Sequence, residues 1–227
     1  MTIRIKICCI SSVQEARLAI RYGASLLGLV SEMPSGPGVI DEAEIAHIAA
    51  TLPPGVTATL LTSRTDAAGI LDQQRRCGVG AIQLVAATTP AVRQAIQQGA
   101  PGVQILQVVH VTGPKSLDEV REAATHSHAI LLDSGRPSQG ILGGTGLTHD
   151  WTVSRQIVRA AGVPVFLAGG LSGDNVRAAI RAVRPYGVDV CSGLRTDGRL
   201  DPTKLATFAS GVDYAARSGS ACVAWPG

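Results

Sequence analysis

The chain has 227 residues, of which 45% are hydrophobic and 3% aromatic, and its 20 Lys and Arg against 17 Asp and Glu give a formal charge of +3. The basic residues are scattered and aromatic residues are few, so neither a nucleic-acid surface nor a stacking platform for single strands is predicted. No apolar run reaches the length of a membrane span, and the first residues lack the layout of a signal peptide, so we expect a cytoplasmic protein with no membrane partner.

The cysteines give no sign of a disulfide framework. There are five of them, an odd number without framework spacing, which favours reduced thiols in the cytosol. The sequence contains neither a CxxC pair nor an HExxH motif, so no structural metal is predicted. The length fits one barrel-sized domain, and we see no linker that would divide the chain.

Short apolar segments followed by helix-like stretches recur along the chain at intervals of roughly 25 to 30 residues. Eight such segments begin near Ile3, Ser25, Val56, Val79, Gly102, His128, Val163 and Gly187. They are apolar throughout rather than alternating, which is typical of parallel strands buried on both faces. We therefore predict a single (β/α)8 TIM barrel over residues 1–217, of the α/β class, and a loosely held tail over residues 218–227.

Two kinds of signal mark the starts of the helices. The spacing of a capping box is found, or closely approached, at Ser12 with Glu15, Ser116 with Glu119, and Asp41 with Glu44. A proline at the first helical position is predicted at Pro90 and Pro202. The seventh helix is predicted to pack one stripe on the barrel wall, formed by Val176, Ala179, Ile180 and Val183.

Glycine-rich stretches follow the sixth, seventh and eighth strands, where a barrel of this kind carries its site. Glycines let backbone N–H groups approach a phosphate closely, and a following helix start favours negative charge. A tight turn alone would also use glycine, but three such stretches on adjacent loops favour a phosphate site. Its predicted residues are Gly143, Gly144, Thr145, Gly146, Ala168, Gly169, Gly170, Ser192 and Gly193.

Two groups suited to proton transfer stand at strand ends. Cys8 closes the first strand and Asp133 the sixth. A thiolate can remove a carbon-bound proton when positive charge, here Lys6, lowers its pKa, and a carboxyl can donate a proton when burial raises its pKa. Together with a phosphate site, the pair suits proton shuttling on a phosphorylated sugar. Because side chains alternate along a strand, Cys9 is expected to point away from Cys8.

Several stretches carry the motifs of one known family. They are KICCI from Lys6 to Ile10, LLD from Leu131 to Asp133, GGTGLTHDW from Gly143 to Trp151, PVFLAGGLSGDNVRAAI from Pro164 to Ile180, and GVDVCSG from Gly187 to Gly193. On these motifs the chain resembles the phosphoribosylanthranilate isomerase family of tryptophan biosynthesis, one of the routes to the aromatic amino acids. The resemblance spans most of the chain and is most specific in its C-terminal third.

The resemblance implies an Amadori rearrangement, the aldose-to-ketose isomerisation of a small phosphorylated aminosugar. In this family an acid matched by Asp133 protonates the ring oxygen, and a base matched by Cys8 removes the C2 proton. It also implies that no metal or organic cofactor is needed and that the protein is a monomer or homodimer. Lys6, Gln83 and Arg136 are further candidates for contact with the substrate.

The sequence departs from the family pattern at three positions. Gly38 stands where the family has an arginine that faces the anthranilate, Val85 replaces a histidine, and Cys9 replaces a glycine. A missing arginine fork should raise KM for phosphoribosylanthranilate, and Gly38→Arg should lower it again. The candidates to substitute for this arginine are Arg64, Arg136 and Arg195.

These departures leave two alternative functions open. One is a diverged paralogue that isomerises another sugar phosphate, and the other is a non-catalytic barrel that binds a phosphorylated metabolite. Retention of both Cys8 and Asp133 counts against the second. Other polar residues receive structural interpretations: His110 is expected at the end of the fifth strand, and Cys77, Cys191 and Cys222 as core or incidental thiols.

Overall fold

A computed structural model of the chain describes residues 2–34, 36–134 and 150–217. Eight parallel strands close into a barrel in sequence order, with β8 paired to β1. The strands are β1 Arg4–Ile7, β2 Ala24–Val30, β3 Thr57–Thr62, β4 Ala81–Leu84, β5 Gln104–His110, β6 Ala129–Asp133, β7 Val165–Leu167 and β8 Gly187–Val190. The predicted (β/α)8 barrel is confirmed, and each strand begins within two residues of its predicted start.

A helix follows each strand and packs outside the barrel. The helices are α1 Val13–Arg21, α2 Glu42–Ala50, α3 Ala67–Cys77, α4 Pro90–Gly99, α5 Ser116–Ala124, α6 Trp151–Ala160, α7 Val176–Val183 and α8 Pro202–Arg217. Between β8 and α8 lie a 3-10 turn, Ser192–Leu194, and a small hairpin of β9 Arg195–Thr196 and β10 Arg199–Leu200. In the described ranges, no helix combines the length and apolarity that a bilayer crossing requires.

The continuous apolarity of the strands reflects a core on each side of the sheet. On β6, Leu131 packs with Leu106 and Phe166 in a cluster inside the barrel. Its neighbours Ile130 and Leu132 belong to the outer layer between strands and helices. That layer also holds the predicted stripe of α7, whose members are all buried: Val176, Ala179, Ile180 and Val183. Strands buried on both faces cannot alternate polar and apolar residues.

Most of the predicted helix starts are confirmed. Ser12 Oγ accepts a hydrogen bond from Glu15 N at 3.2 Å, and Asp41 Oδ1 accepts one from Glu44 N at 2.7 Å. Both bonds satisfy an N–H group that a helix start leaves without an intrahelical partner. Prolines occupy the first positions of α4 and α8, as predicted.

The predicted cap at Ser116 is wrong. The helix α5 begins at Ser116 itself, preceded by Lys115, and no side chain caps it. Ser116 Oγ instead accepts a hydrogen bond from Thr112 N at 3.1 Å and lies 3.4 Å from His110 O, to which it donates. The hydroxyl is used to fold the β5–α5 loop, because that loop turns back over the helix start.

A buried ion pair joins the two strands that close the barrel. Lys6 on β1 is opposite Asp189 on β8, and Lys6 Nζ lies 3.0 Å from Asp189 Oδ2. The Lys6 side chain is fully buried. Burial acts to lower the pKa of Lys6, but the Asp189 carboxylate outweighs it and the pKa is raised. Lys6 therefore remains charged in the barrel wall.

Candidate active site

A cavity of about 100 Å³ opens at the carboxyl ends of the strands, and we name it the rim cavity. Its polar and thiol-bearing lining residues are Cys8, Cys9, Gln83, Asp133, Asp189, Cys191 and Ser192. Its apolar lining residues include Val30, Met33, Pro37, Leu61, Val85 and Leu131, and the backbone of residues 168–171 completes it. The rim cavity therefore contains both groups that the sequence selects for proton transfer.

Cys8 follows the last residue of β1 and remains attached to the sheet, since its N–H donates to Val190 O at 2.9 Å. A Cβ at position 28 would lie 2.9 Å from Cys8 Sγ, so Gly28 on β2 leaves the space that this thiol occupies. The thiol side chain is buried and lines the rim cavity. The position of the Cys8 thiol at the end of β1 and its access to the rim cavity thus suit a group that acts on a bound molecule.

Asp133 ends β6 on the other side of the same cavity. Burial raises the pKa of its carboxyl to about 6, although Ser134 N donates to Asp133 Oδ1 at 2.7 Å and so favours the charged form. A carboxyl with this pKa keeps a protonated fraction near neutral pH, which is what a general acid requires.

The β7–α7 loop presents its backbone to the rim cavity at Ala168, Gly169 and Gly170. Asn175 fixes this loop, because Asn175 Nδ2 donates to Gly170 O at 2.8 Å and Asn175 Oδ1 accepts from Ser172 N at 2.9 Å. Both Gly169 and Gly170 have positive φ, a conformation that glycine adopts without steric cost. Ala168 N already donates to Leu132 O at 2.8 Å, so the backbone that this loop offers to a phosphate is that of Gly169 and Gly170.

The other predicted phosphate residues have different positions. Ser192 lines the rim cavity, but Gly193 packs behind it, where a Cβ would collide with Leu171 O. The close contact brings the loops after β7 and β8 together. The predicted residues Gly143, Gly144, Thr145 and Gly146, and the candidate Arg136, lie outside the described residues.

The prediction that Cys8 and Cys9 point in different directions is wrong. The strand ends at Ile7, and Cys9 has a φ of 62°, so the alternation of an extended strand does not apply to it. Both thiols line the rim cavity, with Cys9 Sγ 3.8 Å from Cys8 Sγ. Cys9 Sγ also accepts a hydrogen bond from Cys191 Sγ at 2.6 Å.

The thiol of Cys191 is therefore a cavity residue, although the sequence suggested an incidental role. The signal that could have found it is its position directly after β8. The hydrogen bond between the two thiols, with support from the nearby Arg195 charge, lowers the pKa of Cys191, and the same bond raises the pKa of Cys9. Among residues 2–34, 36–134 and 150–217, no three His, Cys, Asp or Glu side chains are arranged to hold a metal ion.

Arg195 does not enter the rim cavity and so does not replace the family's arginine, whose position is taken by Gly38. Its Nη1 and Nη2 atoms donate to the two carboxylate oxygens of Glu15 at 2.9 and 3.0 Å, and Nη2 also donates to Cys9 O. Arg64 is exposed and does not line the cavity. In the part of the chain that the structure describes, no lysine or arginine lines the rim cavity.

The space beside Gly38 is already occupied. Gly38 has a φ of 80°, and a Cβ there would lie 2.5 Å from Cys9 Cβ and 3.0 Å from Cys9 Cα. Contacts this short require the backbone to shift. Gly38→Arg alone is therefore expected to disrupt this loop rather than to lower KM, because Cys9 fills the position that the new side chain would need.

Two buried oxygens of the rim cavity, Gln83 Oε1 and Asp189 Oδ1, have no hydrogen-bond partner among the residues that the structure describes. Both side chains line the cavity, and Asp189 is held by Lys6 through its other oxygen. A buried acceptor without a partner costs free energy that a bound donor would recover. The cavity thus offers acceptors to a ligand that carries hydroxyl groups.

Comparison with known proteins agrees with this geometry. A family model described as N-(5'-phosphoribosyl)anthranilate (PRA) isomerase matches residues 5–210. The chain belongs to this family. Family membership makes it an isomerase of the aldose–ketose type and connects it to tryptophan biosynthesis, as the sequence motifs indicate.

Curated relatives match along most of their length. The N-(5'-phosphoribosyl)anthranilate isomerase of Methanocella arvoryzae is 34% identical over 89% of this chain and 93% of its own. That of Halorubrum lacusprofundi is 38% identical over 90% of this chain and 94% of its own.

Solved structures of the family have the same barrel. The phosphoribosyl anthranilate isomerase of Thermotoga maritima is 27% identical with a TM-score of 0.82, over 94% of this chain and 100% of the other. A second one, in complex with reduced 1-(o-carboxyphenylamino)-1-deoxyribulose 5-phosphate, is 25% identical with a TM-score of 0.79 over the same shares of the two chains.

Proposed function

We propose that the protein catalyses the Amadori rearrangement of an N-substituted 5-phosphoribosylamine, with Cys8 as general base and Asp133 as general acid. The observation that carries this proposal is that both side chains line one cavity together with the backbone of residues 168–171. A barrel that only binds a metabolite needs neither a thiol nor an aspartic acid with a raised pKa in the rim cavity.

The reaction requires two proton transfers that these groups can supply. Protonated Asp133 donates to the ring oxygen while the C1–O bond breaks and the nitrogen lone pair forms a Schiff base. The Cys8 thiolate then removes the proton on C2, and its bonding electrons form the C1–C2 double bond of an enolamine. Proton transfer to C1 and loss of the proton on the C2 oxygen give the ketose, so substrate and product are isomers.

The remaining cavity groups suit the rest of the substrate. The fixed backbone at Gly169 and Gly170, with Ser192 beside it, is the proposed phosphate cradle. Within the described ranges Gln83 Oε1 and Asp189 Oδ1 have no partner, and they would accept hydrogen bonds from sugar hydroxyls. Lys6 acts indirectly, by holding the Asp189 carboxylate.

The first substrate to test is N-(5'-phosphoribosyl)anthranilate, which the names of the curated relatives state. The ligand in one solved relative is likewise a phosphorylated sugar with an arylamino group. A small phosphorylated sugar derivative is therefore the proposed partner, and calorimetry should detect inorganic phosphate in the cradle at millimolar concentration.

The acid–base assignment predicts the effect of two substitutions. Cys8→Ser and Asp133→Asn should each lower kcat at least about a hundredfold, within the usual contribution of a general acid or base. The fluorescence change on isomerisation of the arylamine measures turnover. Cys77→Ala, which removes a buried thiol of α3 outside the cavity, is the control and should keep kcat. Full activity of Cys8→Ser, or loss only in Cys9→Ala, would contradict the assignment of the base.

A further inference from the structure

Three cysteines meet on the wall of the rim cavity, and we name them the thiol cluster: Cys8, Cys9 and Cys191. Cys9 is the central member, because its Sγ lies 2.6 Å from Cys191 Sγ and 3.8 Å from Cys8 Sγ. All three are free thiols. The proposed isomerisation uses Cys8 alone, so the cluster holds two thiols that this reaction does not require.

The seam of the barrel holds Cys9 and Cys191 next to each other. Ile7 ends β1 opposite Val190, which ends β8, and Cys8 N donates to Val190 O at 2.9 Å. Paired strands lie about 4.8 Å apart, which is within the Cα separation of roughly 4.4–6.8 Å that a disulfide spans. Cys191 directly follows β8 and Cys9 comes two residues after β1. The two can therefore be joined while the barrel stays closed.

Contacts outside the cluster fix the backbone on both sides of this pair. Arg195 Nη2 donates to Cys9 O, and Cys9 Sγ lies 3.5 Å from Pro37 O. Across the seam, Leu194 N donates to Cys191 O at 3.1 Å. The sulfur atoms of a disulfide are about 2.05 Å apart. Oxidation thus requires the two sulfurs to approach by only a fraction of an ångström from positions that the fold already holds.

Cys191 is the member of the cluster that an oxidant can reach. Its side chain is partly exposed, whereas Cys8 and Cys9 are buried. The hydrogen bond with Cys9 and the positive charge of Arg195 lower the pKa of Cys191. The thiolate is the form that reacts with peroxides, and redox-sensing cysteines are accessible and stand beside a second thiol. Cys191 is therefore placed to react first, and Cys9 to complete the disulfide.

We propose that Cys9 and Cys191 are a redox site, which hydrogen peroxide entering the rim cavity converts to a reversible disulfide. The Cys191 sulfur attacks one peroxide oxygen, the O–O bond breaks, and a sulfenic acid and hydroxide form. The Cys9 sulfur then attacks the sulfenic sulfur, so the S–S bond forms and a second hydroxide leaves. The hydroxides take up the two thiol protons, and two thiols and one peroxide give a disulfide and two waters.

The disulfide changes the surroundings of the proposed base. In the reduced protein Cys9 Sγ donates to Cys8 Sγ at 3.8 Å, and a disulfide has no S–H to donate. The bridge also ties Cys191, the neighbour of Ser192 in the proposed phosphate cradle, to the loop after β1. Oxidation should therefore slow the isomerisation. This consequence rests on the proposed function, whereas the disulfide itself does not.

The test maps the disulfide by mass spectrometry after treatment with a small excess of hydrogen peroxide. Trypsin releases residues 7–17, with Cys8 and Cys9, and residues 182–195, with Cys191. In the unmodified protein these peptides should be recovered as one linked species, which dithiothreitol separates. The control is Cys77→Ala, which removes a buried thiol of α3 outside the cavity and should give the same linked species.

Serine variants decide which cysteines are joined. The linked species should still form in Cys8→Ser, and it should be absent from Cys9→Ser and from Cys191→Ser. Persistence of the link in Cys9→Ser, or its loss in Cys8→Ser, overturns the proposal. So does a disulfide between two copies of the chain, or oxidation of Cys8 to a sulfinic acid while Cys9 and Cys191 stay reduced.

Turnover of the purified disulfide form tests the consequence for the isomerisation. With Cys8 verified as unoxidised by mass spectrometry, kcat should be at least about tenfold lower than in the reduced protein, a part of the usual contribution of a general base. Dithiothreitol should restore it. Equal kcat in the two forms overturns this consequence. If neither form isomerises the substrate, the proposed function alone fails, and the peptide map still decides whether Cys9 and Cys191 are a redox site.

Discussion

At the scale of single residues, Cys9 and Gly38 form a matched pair. Cys9 has a left-handed backbone, its carbonyl is held by Arg195, and its Cβ occupies the place where a side chain at position 38 would begin. Each of the two departures from the family pattern thus explains the other in steric terms. The sequence shows both but gives no sign that they touch.

This contact predicts non-additive effects on stability. Gly38→Ala should lower the free energy of unfolding by about 2–4 kcal/mol, because it adds a positive-φ penalty and a clash with Cys9. In a Cys9→Gly background the same change should cost only about 1 kcal/mol, since the contacts with Cys9 Cβ and Sγ, which include the shortest one, are gone. Urea unfolding of the four proteins in this cycle measures the coupling. Equal costs in both backgrounds would show that the two residues do not interact.

The raised pKa of Asp133 predicts a pH-dependent effect on stability. Burial raises this pKa from 3.8 to about 6, so between these values the folded protein holds a proton that the unfolded chain releases. The protein must therefore lose stability as pH rises through this window, by about 1–3 kcal/mol in total. Asp133→Asn cannot ionise and should be more stable than the unmodified protein by that amount near pH 7.5, but not near pH 4.

Urea unfolding at both pH values tests this prediction. The same variant should be nearly inactive, so the carboxyl would lower stability in return for function. If the free energies of unfolding of the unmodified protein and of Asp133→Asn changed in parallel with pH, Asp133 would ionise at its ordinary pKa in the folded protein.

At the scale of elements, Glu15 connects the first turn of α1 to the segment between β8 and α8. Its carboxylate accepts from Arg195 at 2.9 and 3.0 Å and from Leu200 N at 3.0 Å, and both charged side chains are largely buried. Burial acts to raise the pKa of Glu15, but the bond from Arg195 outweighs it and the pKa is lowered. The pair therefore contributes stability above the ordinary glutamate pKa and loses it as pH falls.

Glu15→Gln should lower the free energy of unfolding by about 1–3 kcal/mol at pH 7, since it weakens a charge-assisted network that is mostly shielded from solvent. The difference from the unmodified protein should shrink as pH falls below the ordinary glutamate pKa, and it should vanish once the carboxylate is protonated in the folded protein as well. The control is Asp118→Asn, which breaks an exposed pair with Arg121 and should have no measurable effect. If Glu15→Gln lowered the free energy of unfolding by the same amount at every pH, the charge of Glu15 would not be the source of the stabilisation.

At the scale of the whole molecule, the barrel is closed by the pairing of β1 with β8, and the ion pair of Lys6 with Asp189 lies within that seam. Removing one partner leaves the other charge buried without compensation. Lys6→Met should therefore lower the free energy of unfolding by about 3–5 kcal/mol. Adding Asp189→Asn should recover part of this loss, because it removes the isolated charge. Thermal and urea unfolding measure both effects, and a smaller cost for the single variant than for the double would contradict the prediction.

The sequence by itself determined the barrel, and it also selected Cys8 and Asp133 as the proposed acid–base pair. Continuous apolarity reports a strand buried on both faces, and caps such as Asp41 act within one turn of a helix, so both can be read from neighbouring residues. The parallel barrel then requires that residues closing its strands share one rim. Pro90 and the buried stripe of α7 were predictable for the same reason.

Only the tertiary structure decided which side chains meet inside that rim. Cys9 touches Cys191, 182 positions away along the chain, and Ser116 leaves its expected cap to fold the loop beside His110. The His110 ring nitrogens, which find no partner in the described part of the chain, and the space filled beside Gly38 likewise depend on atoms from separate strands and loops. Local patterns specify elements because they act over a few residues. Contacts between elements follow from how the closed barrel packs them, and no short stretch of sequence contains that information.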